Sequence, residues 1–320
     1  MAAQTAAALR QFVIEPIRKR SGALFVLQLS QLITDRCGGR CDALIRRVLS
    51  AFRPEVPLPP SRLMDESAIA ATAATLGRRG WDILPWRVPH DDIAELRRFA
   101  FSTPAWASSL DEQIAITETK IPNDSPRYCW RMSELNHLPA VQHLIADAAL
   151  NDIAQRYIGG RPLLTNITMW LDPGRVGGES YNAHAYHYDN DGPAFLKFFV
   201  YVSDIGTESG PHSFIQGSHH RQKPPQLRRA GLYDRDAILA FYGQDNEMVF
   251  TAPAGTVLAE DTAGFHKGTP PRNGQYRLLL QFEYGLLDIP QEEEFAGFRE
   301  RVRIEGLHPS IKRIVRKFFV

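Results

Sequence analysis

Cysteine is scarce in this sequence: Cys37, Cys41 and Cys129 are the only three in 320 residues. An odd number cannot pair completely, and Cys37-Gly-Gly-Arg-Cys41 lacks the second pair that a structural zinc site requires. Neither a disulfide framework nor a zinc fold is expected, and a reducing compartment is. Excess charge is also missing, with 37 Lys and Arg against 36 Asp and Glu. No global field therefore recruits nucleic acid or an anionic membrane. The apolar run Ala23 to Leu29 is too short to span a bilayer, and no basic n-region with an apolar stretch and cleavage site opens the chain. No membrane span and a cytoplasmic location are the expectation. Internal repeats are absent, and the only biased tract is the alanine-rich opening.

The length suffices for one large domain with an appendage, or for two ordinary domains. Residues 1 to about 52 read as helical, with Leu44, Ile45, Val48, Leu49 and Phe52 at helical spacing. Pro54, Pro57, Pro59 and Pro60 then form a linker or extended strap. This places a boundary near residue 62, giving a helical extension over 1–62 and a main domain over 63–320. The extension's apolar stripe needs cover, so it is expected to pack on the main domain or to join two copies in a homodimer. Helices are predicted over 65–76, 90–101, 138–146 and 149–157, the last stopped by Gly159-Gly160. Gly80 to Leu84 alternates like a short strand. From Leu163 onward β-like runs dominate, over 164–171, 195–202, 212–215, 255–259 and 277–284. The fold class is therefore α+β with a mainly β core, a jelly roll or cupin-like double-stranded β-helix flanked by N-terminal helices.

His187 and Asp189 are two apart, so they share one side of an extended segment. His266 follows the β-like Gly255-Thr-Val-Leu-Ala, and Arg277 comes eleven residues after it. Two imidazoles and one carboxylate on one face of a metal leave three positions open, which suits oxygen activation by non-haem Fe(II). Together with Glu208-Ser-Gly-Pro-His-Ser-Phe-Ile-Gln-Gly-Ser-His219 and Gly80-Trp-Asp-Ile-Leu-Pro85, these residues resemble the phytanoyl-CoA dioxygenase family of Fe(II)/2-oxoglutarate oxygenases. Gln216 stands where that family usually has proline. The resemblance covers about residues 64 to 290, and residues 1–62 have no counterpart in it.

The resemblance implies the double-stranded β-helix, with Fe(II) held by His187, Asp189 and His266, and with 2-oxoglutarate and O2 as cosubstrates. It implies that Arg277 pairs with the far carboxylate of 2-oxoglutarate, a role suited to a planar guanidinium fork. Alignment through Gly210 and Gly217 sets Phe199 beside the cosubstrate, so Lys197 and Tyr201 point inward by alternation. A buried lysine needs an anion, supplied either by substrate or cosubstrate or by a structural ion pair. Asn166, Thr168 and Trp170 share one strand face as further cosubstrate contacts, and Gln281 and Glu283 share parity with Arg277. His184 is read as a residue behind the ligands or on the surface, His212 as a pocket or core residue, and His219 and His220 as ending a turn. Asp189, rather than Gly or Ala, favours hydroxylation over halogenation. The expected substrate is a small organic metabolite, natural product or saccharide. Two other classes keep the same ligands: a redox-silent cupin-like isomerase, which has no need of Arg277, and a non-catalytic binding module.

Overall fold

A computed structural model describes residues 22–37, 39–107, 112–174, 185–220, 223–228, 231–288 and 301–320. Two helices open it, α1 (Gly22–Cys37) and α2 (Asp42–Ala51). The helix α3 (Glu66–Arg79) starts where the Asp65 carboxylate accepts the Ala68 N–H at 2.8 Å and stops at Gly80, whose φ of 86° admits a left-handed cap. Then follow β1 (Trp81–Arg87), α4 (His90–Ser102), β2 (Ala105–Ala107), β3 (Gln113–Ile114), β4 (Tyr128–Trp130), α5 (Met132–Leu135), α6 (Pro139–Ala146) and α7 (Ala148–Ile158). The second half supplies β5 (Leu163–Pro173), β6 (Phe195–Tyr201), β7 (His212–Ile215), α8 (Arg235–Tyr242), β8 (Glu247–Phe250), β9 (Thr256–Glu260), β10 (His266–Gly268), β11 (Tyr276–Gly285) and α9 (Pro309–Val315).

The strands form two sheets. The larger runs β1-β9-β6-β11-β5-β4-β2-β3 and the smaller β10-β7-β8, with every pairing antiparallel. His187 joins the smaller sheet by exchanging backbone hydrogen bonds with His266. Alternation divides the large sheet's residues between two apolar layers. Trp170, Phe199, Tyr201, Leu258 and Leu279 meet Phe214 and Phe250 between the sheets. Ile167, Met169, Leu171, Phe198, Val200, Leu280 and Phe282 join Leu76, Leu96, Val141 and Ile153 in the layer that the helices cover. This is a double-stranded β-helix with its helices on the outer face of one sheet.

The expected helices and long strands are present with ends shifted by a few residues. Alternation did not reveal β2, β3, β4, β8 and β10, which are two to four residues long, nor composition α8 and α9. The helical reading of the first 52 residues holds over α1 and α2, and its opening part lies outside the described residues.

The proline-rich stretch is fastened to the domain rather than free of it. The Gln155 amide accepts the Val56 N–H at 3.0 Å and donates to the Val56 carbonyl at 3.0 Å. Ser61 Oγ donates to Asp147 at 2.6 Å, and the Arg62 N–H donates to the same carboxylate at 2.8 Å. From α2 itself, Arg46 Nε donates to the Ile158 carbonyl at the end of α7 at 2.7 Å. Hydrogen bonds thus cross the expected boundary near residue 62. Gln155→Ala strands two buried backbone groups at Val56 and is expected to lower the unfolding free energy by about 2–3 kcal/mol. Urea titration checks this as a fall in midpoint at unchanged m-value.

Candidate metal centre

His187, Asp189 and His266 converge at one end of the space between the sheets. One ligand atom from each lies within 4.8 Å of the others. Asp189 Oδ1 stands 3.9 Å from His187 Nε2, and Asp189 Oδ2 stands 3.7 Å from His266 Nε2. The backbone builds this arrangement. His187 and His266 are bridged partners across two strands, and the Asp189 N–H donates to the Thr262 carbonyl at 2.8 Å.

Both imidazoles are set to ligate through Nε2. His187 Nδ1 lies 2.9 Å from the Ala185 carbonyl and His266 Nδ1 lies 3.0 Å from the Gly264 carbonyl. A carbonyl only accepts, so each Nδ1 carries the proton and each Nε2 keeps its lone pair for a metal. Burial pushes the His266 imidazolium down to about 4, against the Asp189 charge that favours it. The ring is therefore neutral at pH 7. The donor set of two imidazoles and one carboxylate fits Fe(II) with positions left open.

Lys197 lies among carboxylates. Its Nζ is 2.7 Å from Asp189 Oδ2, 2.7 Å from Asp191 Oδ2 and 3.8 Å from Glu283 Oε2. Burial would raise the Asp189 carboxyl, but Lys197 and His266 outweigh it and hold the group well below the usual carboxylate range. Lys197 thus makes the structural ion pair that was one of its two expected roles. Glu283 moves the other way, because burial outweighs Lys197 and pushes its carboxyl up.

Arg277 occupies the other end of the same interior face. Its Nε and Nη2 donate to Asp172 Oδ2 at 3.1 and 2.5 Å, and its Nη1 donates to the Gly210 carbonyl at 2.5 Å. Asp172 also accepts from Arg127 Nε at 2.7 Å and from the Trp170 indole at 3.2 Å. Burial opposes ionisation of Asp172, yet the two guanidiniums bring it down to about 2. Asp172 thus lies between two guanidiniums, of which Arg277 is the more deeply buried. A side chain at Gly268 would collide with the Arg277 guanidinium, so the absence of a Cβ there gives the arginine its place.

Between the two ends lie Trp170 and Phe199, edge to face at 6.2 Å, with Phe199 beside His212 at 5.4 Å. Thr168 and Asn166 stand half-buried on the Trp170 face of β5, and Thr168 and Phe199 both flank Gln281 in register. His212 is buried, stacks on His266 at 5.5 Å and has Nε2 3.0 Å from Glu260. His219 Nε2 donates to the Gly77 carbonyl at 3.3 Å, a structural role outside the ligand cluster, while His184 lies outside the described residues. Sequence reasoning missed Asp172, Arg127, Gly268 and Glu260. The parity of Asp172 with Trp170 was the one signal for it, and Gly268 shares parity with His266.

Burial pushes the Glu260 carboxyl up to about 8 and the His212 imidazolium down to about 3. Glu260 binds its proton more tightly folded than unfolded. Its stabilising contribution is complete below the unfolded carboxylate range and is lost as pH rises toward 8. In chelator-treated protein, Glu260→Gln is expected to flatten the fall in Tm between pH 5 and pH 8. An unchanged slope would mean that Glu260 is ionised throughout.

No family model matches the sequence. The ectoine dioxygenase of Sphingopyxis alaskensis is 23% identical over 241 residues, which is 69% of this chain and 78% of that protein. The crystal structure of EctD from S. alaskensis with bound Fe aligns with a TM-score of 0.51 at 23% identity, over 73% of this chain and 83% of that one. SnoN, a non-haem alpha-ketoglutarate-dependent epimerase from nogalamycin biosynthesis, aligns with a TM-score of 0.51 at 17% identity, over 69% and 84% of the two chains. At these identities the likeness is one of fold, and by its topology and its structural relatives this chain is a double-stranded β-helix of the kind on which those iron and alpha-ketoglutarate enzymes are built.

Proposed function

We propose that the protein is an Fe(II)- and 2-oxoglutarate-dependent dioxygenase that hydroxylates a small organic molecule. The observation that carries this reading is the pairing, along one interior face, of a two-imidazole, one-carboxylate cluster with a buried guanidinium. A redox-silent isomerase needs only the first of these. The ectoine dioxygenase relative supports the reading, as does the structure of EctD from S. alaskensis with 2-oxoglutarate and 5-hydroxyectoine, alike in fold at a TM-score of 0.51.

In this reading His187, Asp189 and His266 hold Fe(II), and Arg277 binds the C5 carboxylate of 2-oxoglutarate. Asp172 and the Gly210 carbonyl hold the Arg277 guanidinium in place for that carboxylate. Thr168, Trp170 and Phe199 line the space between, and Lys197 holds Asp189 in place rather than touching the cosubstrate. Bound iron supplies the oxidation of a substrate C–H bond by O2, coupled to conversion of 2-oxoglutarate to succinate and CO2. The protein binds, orients and excludes water. The domain division near residue 62 belongs to this reading, with the catalytic unit over 63–320. So does a homodimer through the extension, because Phe25, Leu29 and Ile33 on α1 and Leu44 and Val48 on α2 stand exposed. No helix among the described residues is long and apolar enough to cross a membrane.

Anaerobic addition of Fe(II) and 2-oxoglutarate is expected to give the weak visible charge-transfer band of the chelate. His187→Ala, Asp189→Ala and His266→Ala should each abolish it without unfolding the chain, whereas His219→Ala should retain it. Loss of the band in His219→Ala together with its survival in His266→Ala would reassign the distal ligand. Substrate oxidised under 18O2 should carry one labelled oxygen, and an unlabelled isomer as sole product would exclude hydroxylation.

Arg277→Leu removes no metal ligand, so Fe(II) affinity should change little while 2-oxoglutarate affinity falls about a hundredfold, as expected for a desolvated charge-assisted pair. Arg277→Lys should restore only part, since lysine keeps the charge and loses the fork. Unchanged 2-oxoglutarate binding in the leucine variant, read by titration of the same band, would place the anchor elsewhere.

A further inference from the structure

Away from the metal, three distant parts of the chain bring four arginines together. Arg53 ends the segment after α2, Arg161 sits in the turn between α7 and β5, and Arg313 and Arg316 lie in and just after α9. The backbone fixes the contact. The Arg161 N–H donates to the Arg53 carbonyl at 2.7 Å. A Cβ on Gly160 would lie 3.0 Å from that carbonyl and 3.0 Å from Ser50 Cβ, so the glycine lets the two segments close on each other. The helix α9 buries Ile311, Ile314 and Val315 and leaves Arg313 and Arg316 outward.

Asp288 gives Arg53 a counter-charge at longer range than an ion pair. Among the described residues none of the four guanidiniums makes an ion pair or a side-chain hydrogen bond. Arg53 Nη1, Arg161 Nε and Ser50 Oγ are buried polar atoms without a hydrogen-bond partner. The nearby acid Asp288 is 3.3 Å from Lys317. Burial, followed by the charges of Arg316 and Arg161, lowers the Arg53 pKa, and burial with Arg313 and Arg316 lowers that of Arg161. Gathered like charges with buried, unmet donors are unfavourable unless an anion joins them. Ser50 and Gly160 also line a cavity of about 1000 Å3, in which Arg46, Arg47 and His220 stand with Asp42, Glu55 and Asp261.

We propose that Arg53, Arg161, Arg313 and Arg316, with the Ser50 hydroxyl, form a binding site for a phosphoryl oxyanion that is separate from the metal centre. A lone carboxylate has one charge and two coplanar oxygens, and a single guanidinium fork satisfies it. A phosphate group has up to two charges and oxygens pointing in three or more directions, which matches donors arriving from three chain segments. Its occupation ties the N-terminal extension, the α7–β5 turn and the C-terminal helix into one unit.

The test is calorimetric titration of the full chain with inorganic phosphate, at constant ionic strength in chloride. One saturable site is expected, with a rise in Tm. Arg161→Gln and the exposed double change Arg313→Gln, Arg316→Gln should each weaken binding at least about tenfold, while Arg98→Gln on α4 should not. The charge-transfer band with Fe(II) and 2-oxoglutarate should be equal in all of them, so failure of this site and failure of the proposed activity are told apart. Sedimentation with phosphatidic acid vesicles, against phosphatidylcholine alone, distinguishes a lipid headgroup from a soluble phosphate as the source. Either outcome supports the site if the arginine variants lose it. Absence of any phosphate response, or an equal response in Arg161→Gln and the double variant, overturns the proposal. Phosphate binding that emerges only after Glu292, Glu293 and Glu294 are changed to Gln also overturns it, because the chain would then supply its own anion.

Discussion

The antiparallel register of β11 against its two neighbours is the constraint on which the rest of the molecule depends. It sets Arg277 opposite Asp172 on β5, Gln281 between Thr168 and Phe199, and Glu283 opposite Lys197 on β6. Opposite charges directly across a ladder stabilise the pairing, and here they also define both ends of the site. A slip of one residue would turn all of them into the helix-covered layer and bring Leu280 and Phe282 inside. Because that layer is apolar and closely packed, no such slip is open to the chain, and the apolar layer therefore specifies where the polar groups stand.

The same register explains how buried charge is tolerated. Asp172 lies between Arg127 and Arg277, and Lys197 lies among Asp189, Asp191 and Glu283. Neither group is a lone ion in an apolar medium, the case in which burial is most costly. The two clusters are built in opposite senses: guanidiniums flank a carboxylate at one end, and carboxylates surround an ammonium at the other. A ligand that is anionic at one end and chelates a cation at the other meets a matching field along its length.

Much of this was legible from residues alone. Alternation over β5, β6 and β11 located the three strands that matter, and two-residue spacing put His187 and Asp189 on one side. Parity also turned Lys197 and Phe199 inward. Parity identifies a face and not a partner, however, so the ion pair of Lys197 could not be separated from a ligand contact. The expected strand ended at Leu171, just before Asp172, Pro173 and Gly174, whereas the strand carries Asp172 to a fully buried position. The strap after α2 looked like a linker because prolines dominate it. Its attachment uses Gln155 within the helix α7 and Asp147 just before it, and a polar residue in a helical pattern does not announce a long-range partner.

The three residues of β10 deserve a last geometric reading. His266 and Gly268 lie on one face of the strand, the first facing the metal cluster and the second making room for the Arg277 guanidinium. Two residues of extended chain rise by about 6.7 Å. In the function proposed above, an oxoacid held by the cluster and paired with Arg277 spans an interval of this order, so β10 acts as a ruler for it. A shorter oxoacid would stop short of the arginine, and a longer one would have to buckle. Changing that interval by mutation would therefore mean remaking the strand that also carries His266.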